Sequence, residues 1–168
     1  MTQSAVTIRL FRVEDLNQVM DINRKCLPEN YESSFFKELH ERYPNTFIVA
    51  EEDGVIVAYV MCRIELGFPD LKRFGIPKKG HVVSLAVLPD SRRKGIATEL
   101  MKEAMKAMDG YGCSECYLEV RTTNEPALDL YRKMGFSVGR RIEGYYFDGE
   151  AAFFMTRKLP YIERNADT

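Results

Sequence analysis

The eight residues Ser91-Arg92-Arg93-Lys94-Gly95-Ile96-Ala97-Thr98 stand directly after the apolar stretch Val82–Leu88 and directly before a run with helical periodicity. A turn placed between a strand and a helix points its backbone N–H groups at one spot beside the positive end of the helix dipole, which suits a phosphate or pyrophosphate. Gly95 lets that backbone approach closely, and Ala97 is too small to block it. Neither G-x-x-x-x-G-K-[ST] nor G-x-G-x-x-G occurs, so an ATP-type phosphate loop and a dinucleotide fold are both unsupported. Taken alone, the run has a second reading as a basic helix start facing solvent. The groups suited to proton transfer lie elsewhere. They are His81 at the start of the apolar stretch, Glu119 interrupting the apolar segment Tyr117–Val120, Glu29, and the phenol of Tyr131.

Alternating strands and helices must position these groups. Val6–Leu10 alternates like a strand, and Leu16, Val19, Met20, Ile22 and Asn23 recur at helical spacing as far as Cys26, before Pro28. Ser33 or Ser34 is placed to cap a second helix whose Phe35, Phe36 and Leu39 share a face. Thr46–Glu52 and Val55–Glu65 form a hairpin through Asp53-Gly54. Leu66–Lys79, broken at Gly67, Pro69 and Gly75-Ile76-Pro77, reads as a loop, and Gly80–Leu88 as a central strand. Ile96, Leu100, Met101, Ala104, Met105 and Met108 make the core stripe of a helix ending near Asp109-Gly110. Cys116–Val120 is a strand, Glu125–Met134 a helix closed by Gly135, and Val138–Glu143 with Ala151–Thr156 a last hairpin across Gly144–Glu150.

A chain of 168 residues fits one domain, here residues 1–160, followed by a tail at 161–168 that reads as frayed. A formal net charge of -1 gives no electrostatic footprint for nucleic acid or acidic lipid. The start Met1-Thr2-Gln3-Ser4-Ala5 lacks a basic region followed by an apolar one, and no stretch is apolar enough to span a membrane, so the expected location is the cytoplasm. Cys113 and Cys116 form a lone C-x-x-C, with the histidines, His40 and His81, remote in sequence. Inert packing with Cys116 pointing inward is the expectation, and a redox or metal role the alternative.

Arg92-x-x-Gly95-x-Ala97 resembles the [QR]-x-x-G-x-[GA] signature of the GNAT superfamily of N-acetyltransferases. Asn124-Glu125-Pro126-Ala127-x-x-Leu130-Tyr131-x-x-Met134-Gly135-Phe136 resembles its second signature, N-x-x-A-x-x-x-Y-x-x-x-G-F. Three further segments resemble the type A N-terminal protein acetyltransferases, including their stand-alone archaeal members. These are Leu27-Pro28-Glu29-Asn30-Tyr31, Gly80-His81-Val82-Val83-Ser84, and Gly144-Tyr145-Tyr146-x-Asp148-Gly149-Glu150-Ala151. The resemblance implies an α/β (α+β) GNAT fold, a mixed central sheet of about seven strands flanked by about four helices. It also implies acetyl-CoA as cosubstrate with no metal. Leu85, Ala86, Val87, Arg92, Arg93, Lys94, Gly95, Ile96, Ala97, Thr98, Asn124 and Tyr131 would contact the cofactor. A bulge in the central strand would make the N–H of Leu85 or Val87 the oxyanion donor.

The chemistry is attack of a neutral amine on a thioester, passage through a tetrahedral oxyanion, and departure of a thiolate. An α-amine with a pKa of about 7.7–8.0 is roughly a tenth neutral at pH 7, whereas a lysine near 10.4 is neutral about four times in ten thousand. That gap is worth about 3.5 kcal/mol of barrier, so an α-amine needs only a modest base. His81, Glu119 and Glu29 are the candidate bases. The bland readings are a hydrogen-bonded strand-end histidine and a Glu119 paired with Arg121 or another cation. The family pattern favours a water relay at His81 and places Tyr131 near the sulfur as a general acid.

Glu29, Tyr31, Tyr145 and Tyr146 would flank the mouth where a protein or peptide N-terminus enters; packing alone is the competing account of the tyrosines. The other substrate classes to weigh are lysine side chains and polyamines, although the loop carries Lys72, Arg73, Lys78 and Lys79. A non-catalytic acetyl-CoA-binding module is more remote still. A ribosome-associated auxiliary subunit enters only through the resemblance, since nothing in the chain marks a partner surface.

Overall fold

The computed structural model describes residues 5–67 and 75–163. Pro69, Lys72 and Arg73 of the loop, and residues 164–168 of the tail, lie outside them. The elements are β1 (Val6–Leu10), α1 (Leu16–Cys26), α2 (Ser33–Arg42), β2 (Phe47–Glu52), β3 (Val55–Leu66), β4 (Lys78–Val87), α3 (Ile96–Gly110), β5 (Cys113–Arg121), α4 (Glu125–Lys133), β6 (Ser137–Ile142) and β7 (Ala152–Lys158). The strands form one seven-stranded mixed sheet in the order β1-β2-β3-β4-β5-β7-β6. This is the α/β layering that the sequence implied.

Apolar stripes decide which helix covers which face. Val19 and Ile22 of α1 and Phe36 and Leu39 of α2 bury against Phe47, Val49, Tyr59 and Met61. The Ile96–Met108 stripe of α3 joins Leu128 and Tyr131 of α4 over the opposite face. At Gly80 an added Cβ would stand 2.2 Å from Met108 Sδ, so glycine is what lets α3 press onto β4. The β2–β3 turn has Asp53 at φ 52° and Gly54 at φ 80°, both left-handed as a tight hairpin turn requires.

Several boundaries differ from the sequence reading. β3 and β4 run on through Leu66↔Lys78 and Glu65↔Lys79, because cross-strand pairing holds charged residues that a search for apolar runs leaves in the loop. β5 likewise starts at Cys113, paired to β4 and β7. Ser33 is the first helical residue of α2; its N-cap is Glu32, without a side-chain cap bond. Tyr161, expected in a frayed tail, packs on the core under the Arg157 guanidinium at 4.6 Å.

Two irregularities shape the centre of the sheet. The β3–β4 register jumps from Met61↔Ser84 to Cys62↔Val82, leaving Val83 as the extra residue, two positions before Leu85 where the bulge was expected. The parallel β4–β5 ladder, by contrast, stops at His81↔Tyr117 although both strands continue, to Val87 and Arg121. Beyond that point the strands diverge, and the facing backbone edges of Val82–Val87 and Leu118–Arg121 have no ladder partner among the described residues.

Candidate active site

The wedge between β4 and β5 organises the site. At the far end of β4 the chain turns through Pro89–Ser91 into α3. Arg93 (φ 63°) and Gly95 (φ 78°) both take left-handed backbone, and α3 starts without a side-chain cap bond. Among the described residues the N–H groups of Arg93 to Thr98 have no protein acceptor, and nothing lies within 4 Å of where a Gly95 Cβ would stand. Uncapped first-turn amides beside open space make an anion cradle. Two of the loop's cations are turned away from it. Arg92 Nε donates to Val87 O at 2.8 Å, and Lys94 Nζ donates to Glu52 at 2.9 Å. Ser91 Oγ also donates to Glu52, at 3.1 Å, so this carboxylate of β2 pins the turn from both sides.

At the apex of the wedge, His81 is buried and Glu119 nearly so, with side-chain exposures of 8% and 15%. His81 Nε2 lies 2.7 Å from Glu119 Oε2. On its other side, His81 Nδ1 accepts from Arg63 Nε at 3.1 Å. The imidazole is stacked on Tyr117 at 4.4 Å and 5°, and the Tyr117 hydroxyl donates to Glu65, which also pairs with Arg63 at 2.8 Å. Burial, with Glu65 adding to it, pushes the Tyr117 phenol well above its ordinary range. Glu119 therefore pairs with the histidine, and not with Arg121.

Arg121 instead gathers the loops that flank the wedge. It donates to Glu29 at 2.5 Å, to Glu150 at 2.6 Å and to Asp148 at 2.9 Å, and its guanidinium stacks on Tyr146 at 4.1 Å. Glu29, one of the three candidate bases, is thus held by a guanidinium. Tyr145 and Tyr146 meet edge to face at 4.9 Å. Burial first, and then Glu119 and neighbouring groups, raises the Tyr145 phenol to about 12; burial and Glu29 raise Tyr31. All three tyrosines stay neutral hydrogen-bond donors at physiological pH. Around this mouth five carboxylates (Glu29, Glu65, Glu119, Asp148, Glu150) face two guanidiniums (Arg63, Arg121) among the described residues. The excess of negative charge favours an incoming ammonium.

The α1–α2 loop is fixed from beneath by Asn23, which is 1% exposed. Its amide donates to Glu29 O at 3.0 Å and to the Tyr59 hydroxyl at 3.1 Å, while its oxygen accepts from Tyr31 N at 3.4 Å. Tyr59 continues to Ser84 at 2.7 Å, and burial raises its phenol to about 12. Tyr131 lies behind the wedge on α4, 8% exposed; burial, with Cys116 and Cys62 nearby, lifts its phenol far above the usual value. Asn124 caps α4 by accepting from Ala127 N at 3.3 Å.

Sequence reading brought forward His81, Glu119, Glu29, Tyr31, Tyr145 and Tyr146, which the fold gathers at one mouth. It missed Asn23, Tyr59, Arg63, Glu65, Tyr117 and Arg121 as supports. The signal for Asn23 was present, as a polar residue in a buried helical stripe. Cys62, Cys113 and Cys116 are buried free thiols, and burial raises Cys116 to about 12, which keeps it a thiol. Among the described residues no cluster of His, Cys, Asp or Glu is disposed to hold a metal ion.

Comparison with known proteins gives consistent results. Residues 16–136 match the model of the acetyltransferase (GNAT) family. An N-alpha-acetyltransferase of Sulfurisphaera tokodaii is 49% identical over 154 residues, covering 90% of this chain and 92% of that protein. The crystal structure of Chaetomium thermophilum Naa20 in complex with a bisubstrate analogue superposes with a TM-score of 0.80 at 34% identity, over 91% of this chain and 86% of that one. A structure of the NatB acetyltransferase complex bound to CoA and MES gives a TM-score of 0.78 at 32% identity, over 92% and 99%.

Proposed function

The chain belongs to the acetyltransferase (GNAT) family, and we propose that it moves the acetyl group of acetyl-CoA directly onto the N-terminal α-amine of proteins, without an acyl-enzyme. The observation that carries this reading is the wedge between β4 and β5. It has an anion cradle at one end, a buried histidine–carboxylate pair at its apex and a tyrosine-lined acidic mouth beside it. The uncapped amides of Arg93–Thr98 take the pyrophosphate, with the unpaired edge of β4 at Leu85, Ala86 and Val87 alongside the pantetheine arm. Asn124 keeps its cap bond and offers its amide N–H₂ to the cofactor.

The incoming ammonium is drawn to the acidic mouth and loses its proton to the Glu119–His81 pair through water, the modest base that an α-amine requires. Tyr31, Tyr145 and Tyr146 donate hydrogen bonds to the backbone of the entering peptide. A backbone N–H of Leu85 or Val87 stabilises the oxyanion. Tyr131 acts as a hydrogen-bond donor to the leaving sulfur. With reference values near 10 for a phenol and 8.5 for a thiol, full proton transfer is uphill by about 2 kcal/mol even before burial raises the phenol further.

The test is acetyl-CoA turnover, read as thiol release, on peptides with free Ser, Ala, Met-Leu and Met-Glu starts, beside acetyl-blocked peptides with an internal lysine, and spermidine. Turnover confined to the free α-amines supports the reading. Turnover only on blocked lysine peptides or spermidine overturns the substrate class. The free buried thiols accord with a reducing compartment, and we place the protein in the cytoplasm. Support for an auxiliary subunit comes from the neighbour solved as the NatB complex; its association with ribosomes follows from the family resemblance alone, and co-sedimentation with ribosomes tests it.

A further inference from the structure

The Arg63 side chain takes no part in the reaction as described, yet its Nε–H is aimed at the catalytic imidazole. Arginine is a donor only and keeps its charge at any working pH, so a nitrogen that accepts from it carries no proton. His81 Nδ1 accepts from Arg63 Nε at 3.1 Å, which leaves the ring proton on Nε2, pointing at Glu119 Oε2 2.7 Å away. From this geometry we infer that Arg63 is a positioning residue that locks His81 in the neutral Nε2–H tautomer, making the Glu119 carboxylate the proton acceptor of the pair. Both imidazole nitrogens are then committed, one accepting from Arg63 and the other donating to Glu119.

The groups around the ring weigh for and against this state. From β3 come Arg63 and Glu65; Glu65 Oε1 is 3.6 Å from Nδ1 and 2.8 Å from Arg63 Nε. From β5 come Glu119 and the stacked Tyr117, whose hydroxyl donates to Glu65. Tyr31 and Tyr145, from the flanking loops, stand near Glu119 and Arg63. Glu65 and Glu119 stand on either side of the ring, and the Arg63 N–H directed at Nδ1 is the contact that excludes a proton there. Loss of Arg63 therefore frees Nδ1 to take a proton. The resulting imidazolium, still donating from Nε2, weakens Glu119 as a base.

The inference rests on the proposed function for its catalytic consequence, whereas the tautomer is measurable without turnover. Long-range ¹H–¹⁵N spectra of the full chain, assigned by a His40→Gln variant since the sequence has two histidines, report which ring nitrogen carries the proton. In the parent protein at alkaline pH, Nε2 is expected protonated and Nδ1 bare; in Arg63→Met the signals become those of a mixture, and Arg63→Lys restores the parent pattern in part. The kcat of Arg63→Met is expected to fall by about tenfold at pH 6.5, with the deficit shrinking as pH rises and KM for acetyl-CoA unmoved. An Nδ1–H tautomer in the parent, an unchanged tautomer in Arg63→Met, or an equal loss at every pH overturns the inference. Full turnover in Glu119→Gln would also overturn it, whereas failure of the functional reading would show separately, as turnover only on blocked lysine peptides or spermidine with the parent tautomer unchanged.

Discussion

Replacing Glu119 with Gln removes the charge and keeps the shape. The Gln oxygen still accepts from His81 Nε2 at the site where Glu119 Oε2 sits at 2.7 Å, and the side chain is only 15% exposed, so the network has no reason to rearrange. Stability should change by less than about 1 kcal/mol, the net worth of one such bond. Turnover on a free α-amine peptide at pH 7 should fall by about 10²–10⁴, the usual contribution of a positioned base, or about 3–5 kcal/mol of barrier. The variant must then rely on amine that is already neutral in solution. For an α-amine with a pKa of about 7.8 that fraction grows about sevenfold between pH 7 and pH 9, whereas for a lysine it grows about a hundredfold. The assay is kcat/KM for peptide against pH, for parent and variant, with thermal unfolding as the control for folding. A variant slope of about sevenfold supports carboxylate-assisted deprotonation of an α-amine. A deficit independent of pH, or no deficit, refutes the role given to Glu119.

Other substitutions test the supports. Asn23→Ala leaves Tyr59 Oη, Tyr31 N and Glu29 O without their partner; it should cost about 2–4 kcal/mol in denaturant titration and raise KM for peptide more than KM for acetyl-CoA. Equal effects on both constants would count against the loop-tether account. Gly80→Ala drives a Cβ into Met108 Sδ and should destabilise by about 1–3 kcal/mol, lowering Tm by several degrees, and an unchanged Tm would show that α3 gives way freely. Gly95→Ala meets no neighbouring atom, so its cost is about 1 kcal/mol of backbone strain. Its main expected effect is a higher KM for acetyl-CoA, and an unaltered KM would remove this turn from the binding site.

The parts of the site that local chemistry dictates were legible in the sequence. Gly95 and the residues around it announce a turn that approaches an anion, Asp53-Gly54 announces the hairpin, and the α3 stripe announces its buried face. Glu119 stood out because an apolar strand has no local reason to hold a carboxylate. Arg63, Glu65 and Tyr117 did not stand out, because their importance comes from register. Arg63 lies opposite His81 only because Val83 shifts the β3–β4 pairing, and Tyr117 lies opposite His81 only through a parallel ladder between strands far apart in sequence. Local spacing offers Arg121 only as one possible cation for Glu119, its neighbour two residues away on the strand. The loops instead bring Glu29, Asp148 and Glu150 within 2.9 Å of it, and long-range loop placement leaves no mark in local spacing.

The short β4–β5 ladder has a mechanical consequence. The pairs from Lys78↔Cys113 to His81↔Tyr117 are the seam between two leaves of the sheet, β1 to β4 and β5 to β7. A substrate lodged beyond the end of that seam acts as a rivet as well as a reactant. It binds the folded chain alone, so at a concentration a hundredfold above its Kd it adds about 2.7 kcal/mol of stability, several degrees of Tm in a domain of this size. The amides along Val82–Val87 and Leu118–Arg121 would gain most in protection from hydrogen exchange, and the enzyme would be most rigid when charged with its acetyl donor and loosest as coenzyme A leaves.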